Sequence, residues 1–276
     1  MANKLKDILR KKLTKKELSL VPSSFDIIGN ILIFHDFPEK LSKKEKIMAN
    51  EILKAYKQIK SIFKKTRKHS GKYRTLKLKL LAGENNTETM HKENNVRLKL
   101  DVEKVYFSPR LSEERKRIFQ KVKRNETVLV MFSGAAIYPL IIWKNTKAKD
   151  IYGIEINPTA HKYALENLKS NKADKIKLFL GDAQKILPKI NKRFDRIIMP
   201  LPKGAENFLG LALNKIKKNM TIHFYSFAEE DKYDNVIKTI NNECKKKNKK
   251  CKIIDIVKCG QFSPRVFRIC VDFQVM

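Results

Sequence analysis

Small and acidic residues follow the apolar runs in the second half of the chain, and their chemistry suits a nucleoside. Gly134 comes after the run Val128–Phe132 and allows a ligand to approach the backbone closely. Glu155, 21 residues further on, is an acceptor for ribose hydroxyls, and Asp182, 27 residues beyond it, is an acceptor for an exocyclic amine. No G-x-G-x-x-G motif accompanies them, so a pyrophosphate cradle is not predicted. The set fits a nucleoside without phosphates, and S-adenosylmethionine is such a compound.

Alternating strands and helices are predicted around these residues. The predicted strands are Val128–Phe132, Ile151–Ile156, Ile176–Leu180, Arg196–Met199 and Thr221–Tyr225, and the predicted helices are Ser112–Lys123, Thr159–Asn171, Ala183–Ile190, Ala205–Lys217 and Glu230–Lys247. This order indicates βαβ units and an α/β domain with a mostly parallel sheet. Two late runs, Lys252–Val257 and Val266–Phe273, predict an antiparallel hairpin at the sheet edge. Ligands bind beyond the carboxyl ends of parallel strands, where Gly134, Glu155 and Asp182 would meet.

A smaller α+β domain is predicted before this sheet. Its predicted elements are a short amphipathic helix in residues 1–20, two strands in Phe25–Phe34, a helix over 42–66 with Ser42 as its N-cap, and strands at Leu76–Leu80 and Val96–Val102 separated by a polar segment. We therefore predict a basic N-terminal segment (1–20), an α+β domain on the substrate side (21–111) and a Rossmann-like α/β domain (112–276).

The net charge of +32 arises from 61 Lys and Arg against 29 Asp and Glu. Residues 1–120 and 121–276 each carry +16, so both domains are basic. A surplus of this size favours a polyanionic partner such as nucleic acid, with Lys-rich composition as the alternative. The hydrophobic content of 42% argues against global disorder. With neither an apolar run of 18 residues nor a signal-peptide core, we expect a cytoplasmic protein without a membrane partner.

Aromatic and basic residues near position 110 suggest contacts with RNA or cofactor. Tyr106 and Phe107 precede Arg110, and an aromatic ring beside a cation suits stacking on adenine or on a flipped base, although one of the two rings is expected to face the core. Arg110 and Arg115 suit contacts with phosphate or with the methionine carboxylate. His91 is interpreted as structural or RNA-facing. No metal site is predicted, because the four cysteines form no C-x-x-C pair.

Over residues 20–276 the chain resembles the archaeal and eukaryotic tRNA (guanine-37-N1)-methyltransferases, and specifically a short archaeal member without the N-terminal module that docks on the tRNA elbow. The matching stretches are Phe25–Gly29, Tyr73–Thr75, Leu81–Glu84, Thr87–Asn94, Arg97–Asp101, Lys104–Leu111, Met131–Gly134, Ile154–Pro158 and Leu201–Lys203. The stretch Lys104–Arg115 is the most specific of them, because it is not a general methyltransferase feature.

The resemblance implies a class I S-adenosylmethionine-dependent methyltransferase domain, acting as a monomer on tRNA with no obligate protein partner. It implies that Glu114 is the general base for N1 of guanine and that Arg74 is the cation near O6. The implied cofactor-binding residues are Tyr106, Arg110, Phe132, Ser133, Gly134, Glu155, Ile156, Asn157, Asp182, Ala183 and Pro200, and the implied RNA-binding residues are Arg115, Pro202 and Lys203. For Glu114, a first-turn helix acid favoured by the macrodipole is the alternative role.

Two departures from the family pattern leave alternatives open. Pro200 stands where the family loop usually begins with Asn, and the loop at Ser133 reads Ser-Gly-Ala-Ala, with fewer glycines than usual. One alternative is the aminocarboxypropyl transferase of wybutosine synthesis, which uses the same scaffold and cofactor. The other is a catalytically silent tRNA-binding relative, although Glu155 and Asp182 favour a working cofactor site.

Overall fold

The computed structural model describes residues 2–276, apart from the side chains of residues 2–4, 68 and 69. The chain divides into two units. The first comprises Met1–Lys92 and Arg97–Pro109, and the second comprises Glu93–Val96 and Arg110–Met276. Each unit has its own cluster of buried apolar side chains.

The first unit contains a four-stranded sheet in the order β1-β2-β3-β4 and a two-stranded sheet of β5 and β6. Its elements are α1 (Ala2–Leu9), α2 (Lys15–Ser19), β1 (Phe25–Ile28), β2 (Ile31–Phe34), α3 (Glu45–Ala55), β3 (Ser61–Ser70), β4 (Thr75–Gly83), β5 (Glu88–Glu93) and β6 (Val96–Asp101). Strands β2 and β3 are parallel, whereas β1 and β4 pair with them antiparallel. β5 lies within the polar segment between the two predicted strands, where we predicted no element.

The described side chains of the N-terminal segment, from Leu5 onward, contribute to the core of the first unit. This segment forms two helices instead of the one predicted, because Thr14 and Glu17 form a reciprocal capping box that begins α2. Leu5 and Leu9 are fully buried in the same cluster as Ile52 of α3. The leucine spacing of the amphipathic helix predicted in residues 1–20 thus identified buried positions, and basic residues lie between them in the sequence.

The helix predicted over 42–66 is wrong in its second half. Helix α3 ends at Ala55, and Ile62 and Phe63 lie in β3, where both are buried. Their spacing matched a helical period, but pairing with β2 and β4 satisfies the backbone on both sides of β3. Ser42 lies in a 3₁₀ turn and is not the N-cap.

The second unit is built around a seven-stranded sheet in the order β12-β13-β11-β10-β7-β8-β9. Its elements are α4 (Ser112–Lys121), β7 (Thr127–Met131), α5 (Ile137–Asn145), β8 (Asp150–Glu155), α6 (Pro158–Asn171), β9 (Ile176–Leu180), α7 (Ala183–Ile186), β10 (Phe194–Met199), α8 (Glu206–Lys215), β11 (Ile216–Glu229), α9 (Asp234–Lys246), β12 (Cys251–Ser263) and β13 (Val266–Val275). The five strands β7 to β11 are parallel, and β13 is antiparallel to β11 and β12. The predicted mostly parallel α/β sheet is confirmed.

Two features of this unit differ from the prediction. Helix α5 was not predicted, because its residues Ile137–Ile142 are all buried and show no amphipathic period. Pro139 is tolerated because it lies in the first turn, where its missing N–H has no helical acceptor. The predicted edge hairpin exists, but only β12 is at the edge, since β13 lies between β12 and β11. Within residues 2–276, none of the helices has the length and apolarity required to cross a bilayer.

Candidate active site

The loop after β7 is held in an unusual backbone conformation. Phe132 has φ +62°, Gly134 has φ +58° and Ala136 has φ +67°, so three of five consecutive residues are left-handed. For a non-glycine residue this conformation costs about 1 kcal/mol or more, and such strain concentrates at ligand sites. Helix α5 begins directly after Ala136. The loop therefore presents backbone groups at the carboxyl end of β7.

Glu155, at the end of β8, fixes this loop through its carboxylate. Its Oε2 accepts the N–H of Gly134 at 2.7 Å, and its Oε1 accepts the N–H of Asn157 at 2.8 Å. Burial raises the pKa of Glu155, although the N–H groups of Asn157, Gly134 and Ile156 act against that rise. Asn157 is itself the N-cap of α6, since its side chain accepts from the backbone N–H groups of Thr159 and Ala160.

Ser133 has a buried hydroxyl beside the same loop. Its side chain is 3% exposed, and among the described residues its Oγ has no hydrogen-bond partner. A Cβ at Gly153 of β8 would lie 3.0 Å from that oxygen and 2.6 Å from Leu178, so glycine is required there for the strands and loop to pack. An unpartnered buried hydroxyl is costly unless a ligand satisfies it.

Asp182 follows β9 and begins α7. Its Oδ1 accepts the N–H of Gln184 at 2.9 Å, so one oxygen caps the helix. Gly181 has φ +143° and donates its N–H to the carbonyl of Glu155 at 2.8 Å, which ties this turn to the end of β8. Ala183 is buried beneath it.

The segment after β10 borders a cavity of about 470 Å³. Pro200 follows β10, and Leu201 donates its N–H to the carbonyl of Met199 at 2.8 Å. Pro202 and Lys203 line the cavity. Its other lining residues are Glu206, Phe224, Ser226, Phe227, Asn235, Val236 and Thr239.

The sheet brings these strand ends to one edge. Met131 of β7 pairs with Ile154 of β8, and Glu155 pairs with Leu180 of β9, so the three following segments are neighbours. β10 lies on the other side of β7. The topology therefore produces the predicted grouping of the loop at Gly134 with Glu155 and Asp182 at the carboxyl edge, and Pro200 follows β10 at the same edge.

A comparison with known families identifies the domain that contains this edge of the sheet. Residues 89–254 match the TRM5/TYW2 methyltransferase domain, which is more than half of the chain. This chain belongs to the TRM5/TYW2 methyltransferase family. Residues 5–87 match the TYW2 N-terminal domain.

Individual members of the TRM5/TYW2 family match over most of the chain. The tRNA (guanine(37)-N(1))-methyltransferase Trm5b of Pyrococcus abyssi is 41% identical over 92% of this chain and 76% of its own length. The complex structure of aTrm5 and tRNALeu has a TM-score of 0.85 at 32% identity, covering 98% of this chain and 77% of that one. The tRNA(Phe) (4-demethylwyosine(37)-C(7)) aminocarboxypropyltransferase of Methanocaldococcus jannaschii is 32% identical over 89% of this chain and 95% of its own length.

In this family member, Glu114 is a buried acid in the first turn of α4. Its carboxylate accepts from Nε of Arg117 at 2.7 Å and from Nη2 of Arg117 at 2.8 Å. The hydroxyl of Tyr225 on β11 donates to Oε1 at 2.5 Å, and that hydroxyl lies 3.1 Å from the hydroxyl of Tyr138 on α5. The position that the resemblance assigns to the base is therefore oriented by neighbours from two helices and one strand.

Asp272 continues this network into the sheet. It is 1% exposed, and Nη1 of Arg117 donates to its Oδ2 at 2.6 Å. Its Oδ1 lies 2.6 Å from Nδ1 of His223, whose Nε2 lies 2.7 Å from Nη1 of Arg196. Burial opposes the charge on Asp272, but His223 and Arg117 outweigh it and hold the pKa of Asp272 well below its ordinary value. Arg196 in turn forms a two-point ion pair with Glu126.

The protonation of His223 follows from these partners. Burial lowers the pKa of His223, and Arg196 and Arg117 act in the same direction, although Asp272 opposes them. A neutral ring that donates from Nδ1 to Asp272 can accept from Arg196 at Nε2, which satisfies both nitrogens. His223, Asp272 and Cys270 lie close enough together for a metal ion, but these two arginines already supply the positive charge.

The interpretation of Arg115 as an RNA-binding residue is wrong. Its side chain is 2% exposed, and its Nε and Nη2 each lie 2.5 Å from an oxygen of Glu93. A guanidinium buried in a two-point pair with a carboxylate cannot reach a phosphate at the surface. Arg110, five residues earlier, is exposed.

Arg74 and Tyr106 both belong to the first unit. Arg74 has φ +53°, and its Cζ lies 5.7 Å from the centre of the Tyr106 ring, so a cation and an aromatic ring do meet there. His91, which we interpreted as structural or RNA-facing, accepts the N–H of Gly29 at 3.3 Å, and its ring lies 4.9 Å from that of Phe107.

The partners of Glu114 were not predicted from the sequence. Arg117 lies three residues after Glu114, a spacing that places both on one helix face. Asp272 interrupts the apolar run of β13, and a charged residue in a run of this kind signals a buried ion pair. Nothing in the sequence linked Tyr225 to Glu114, 111 residues apart.

Proposed function

We propose that this protein transfers a methyl group from S-adenosylmethionine to N1 of the guanosine at position 37 of tRNA. The observation that carries the proposal is the 41% identity to Trm5b of Pyrococcus abyssi over 92% of the chain. The basic character of both halves of the sequence supports a tRNA substrate.

The carboxyl edge of the second unit fits the cofactor. The acids Glu155 and Asp182 suit a nucleoside, the strained loop around Gly134 presents backbone groups, and the Ser133 hydroxyl is available to a polar ligand atom. S-adenosylmethionine supplies, when bound, a methyl group on a positively charged sulfur. We assign its binding to these elements and to their neighbours Phe132, Ile156, Asn157, Ala183 and Pro200, with Tyr106 and Arg110.

Two side chains are proposed to act on the guanine. N1 carries a proton that must leave as the methyl group arrives, and negative charge then grows toward O6. Glu114 would accept that proton, and its contacts with Arg117 and Tyr225 orient the carboxylate. Arg74 would offer a guanidinium to O6, a role that rests on the resemblance to the family. Pro202 and Lys203 are proposed to contact the RNA.

Nucleoside mass spectrometry tests this function. An unmodified tRNA transcript with guanosine at position 37 is incubated with the protein and methyl-labelled S-adenosylmethionine, then digested. We expect one labelled methylguanosine, and none from a transcript with adenosine at that position. Calorimetric titration with the cofactor adds an independent test, because an absence of binding would support a catalytically silent tRNA-binding protein.

A second candidate function is aminocarboxypropyl transfer to 4-demethylwyosine. The specific observation in its favour is that residues 5–87 match the TYW2 N-terminal domain. The same assay separates the two, since the aminocarboxypropyl group adds far more mass than a methyl group. For this purpose tRNA carrying 4-demethylwyosine is supplied beside the unmodified transcript, and a product on the former alone would favour the second candidate.

We further propose that the protein acts as a cytoplasmic monomer. The site elements at the carboxyl edge all come from one chain, so no partner subunit is needed to complete them. Sedimentation equilibrium at assay concentrations, with and without tRNA, tests the monomer, and a dimer in both samples would contradict it.

A further inference from the structure

The tip of the β12–β13 hairpin carries an aromatic ring that faces solvent. Phe262 is 64% exposed, the largest value among the exposed large hydrophobic side chains of the described residues. Its ring centre lies 4.2 Å from that of Phe227 on β11, with 35° between the ring planes. The Phe227 ring is thus half-buried against the sheet, and the Phe262 ring lies over the Phe227 ring. We call Phe227 and Phe262 the aromatic platform.

The backbone of the hairpin produces this exposure. The pairing of β12 with β13 shifts register between Lys258 and Gly260 and again between Gln261 and Ser263. Gly260 has φ +144° with open space around it, so glycine is present there for its backbone conformation and not for close packing. Bulges of this kind re-aim side chains, and they are frequent next to functional sites.

The platform lies at the functional edge of the sheet. β13 is antiparallel to β11, so its first residues and the hairpin tip lie at the carboxyl ends of the parallel strands. Phe227 is two residues after Tyr225, which donates to Glu114. Two residues of a strand span about 7 Å and return to the same face. The platform is therefore one step along β11 from the partner of the proposed base.

Polar groups lie next to the platform. Phe227 lines the cavity together with Lys203, Ser226, Asn235 and Thr239, which supply a cation, hydroxyls and an amide. Its volume of about 470 Å³ is within the range of small-ligand sites. A flat apolar ring beside a cavity that combines these polar groups with apolar side chains matches a nucleotide, which has a base at one end and a sugar-phosphate at the other.

The charges around the tip are compatible with RNA. Arg265 is exposed at the tip. The nearby acids Glu229 and Glu230 are paired with Lys232 and Lys258, at 2.6 Å and 2.8 Å. The exposed apolar surface is about one ring wide, which is far below the area of a stable protein interface.

We propose that the aromatic platform binds an unpaired nucleotide of the substrate tRNA that is adjacent to the target guanosine, with its base stacked on Phe262. Its sugar-phosphate lies toward the cavity that Lys203 lines. This inference rests on the proposed function for the identity of the RNA. Stacking on an aromatic ring tolerates any base, so the platform would hold the loop in place without reading its sequence.

Binding of tRNA transcripts to three variants tests the platform. Phe262→Ala removes the ring, Phe262→Trp retains an aromatic face, and Ile254→Ala, 52% exposed on the same strand, is the matched control. Three RNAs are compared. They are the intact transcript, a transcript with one abasic nucleotide on the 5′ side of position 37, and a transcript with one abasic nucleotide on its 3′ side. We expect Phe262→Ala to weaken binding of the intact transcript about 5- to 100-fold, with wild-type binding by the other two variants.

The abasic transcripts decide whether the lost contact is a base. On one of them, wild type and Phe262→Ala should bind equally, because the stacking partner is gone. The proposal would be overturned if Phe262→Ala lost the same affinity for all three RNAs, or if it lost no affinity for the intact transcript. Sedimentation of wild type and of Phe262→Ala adds a further test. If wild type dimerises and Phe262→Ala does not, the ring contacts a second copy of the chain, and the proposal is overturned. Because binding is measured without turnover, failure of the methyl transfer reaction remains a separate result.

Discussion

Arg117 donates to Glu114 and to Asp272 at the same time. Its Nε and Nη2 bind the two oxygens of Glu114, and its Nη1 lies 2.6 Å from Oδ2 of Asp272. One guanidinium thus joins the first turn of α4 to β13, the strand next to the edge strand β12. The proposed base is held by the same group that neutralises a buried acid of the core.

Glu114→Gln tests the proposed base. The amide keeps the shape of the side chain but cannot accept the proton, so we expect single-turnover methylation to fall about 10²- to 10⁴-fold with little change in cofactor affinity. The matched control is Glu113→Gln, because Glu113 is the exposed neighbour in the same helix turn. Parallel loss of methylation and of cofactor affinity, measured by rapid quench and calorimetry, would remove Glu114 from this role.

Arg117→Leu should destabilise the fold. It would leave the carboxylate of Glu114 buried without its cation and would leave Lys121, at 3.2 Å, as the cation beside Asp272. Breaking a buried pair of this kind costs about 3–5 kcal/mol. Urea unfolding monitored by circular dichroism measures the change in the free energy of unfolding. Lys116→Leu, on an exposed position of the same helix, should change it by less than about 0.5 kcal/mol. Equal midpoints for the two variants would contradict the importance of the network.

The stability of the protein should decrease as the pH falls below about 6.5, the ordinary pKa of an unfolded histidine. Burial lowers the pKa of His223 in the folded state, so in this range the unfolded chain binds more protons than the native one, which favours unfolding. The half-exposed His161, whose pKa burial also lowers, acts in the same direction. Unfolding midpoints between pH 5 and 8 should vary less in His223→Gln than in wild type, and an unchanged slope would contradict the assignment.

Arg115→Gln and Lys203→Gln should affect different properties. Arg115 is buried against Glu93, so its loss should cost about 3–5 kcal/mol of stability and leave the salt dependence of tRNA binding unchanged. Lys203 lines an open cavity, so its loss should reduce the slope of log affinity against log salt by about one phosphate contact without changing stability. A reduced slope in Arg115→Gln would restore Arg115 to the RNA surface. A flat salt response in wild type would mean that the net charge of +32 reflects composition alone.

Local patterns were sufficient for the elements of the parallel sheet and for the acids at its edge. Apolar runs followed by small or acidic residues mark the ends of β7 and β8, because a strand buried on both faces must be apolar throughout. The edge strand β9 is only partly buried and contains Lys177, yet its mostly apolar residues were sufficient to identify it. Sequence patterns failed in residues 42–66, where the apolar residues have a helical spacing throughout although the second part forms strand β3. They also failed in α5, where burial on all sides leaves no helical period of apolar residues.

The sequence by itself determined the alternation of strands and helices in the second unit apart from α5, the strand ends that carry Gly134, Glu155 and Asp182, and the basic character of both halves. Only the tertiary structure decided which charged residues face solvent. Arg110 and Arg115 are alike in the sequence, yet the first is exposed and the second is buried against Glu93. The link from Glu114 through Arg117 to Asp272 likewise joins residues far apart in the chain. Burial and long-range pairing depend on which faces pack together, and no local spacing encodes that.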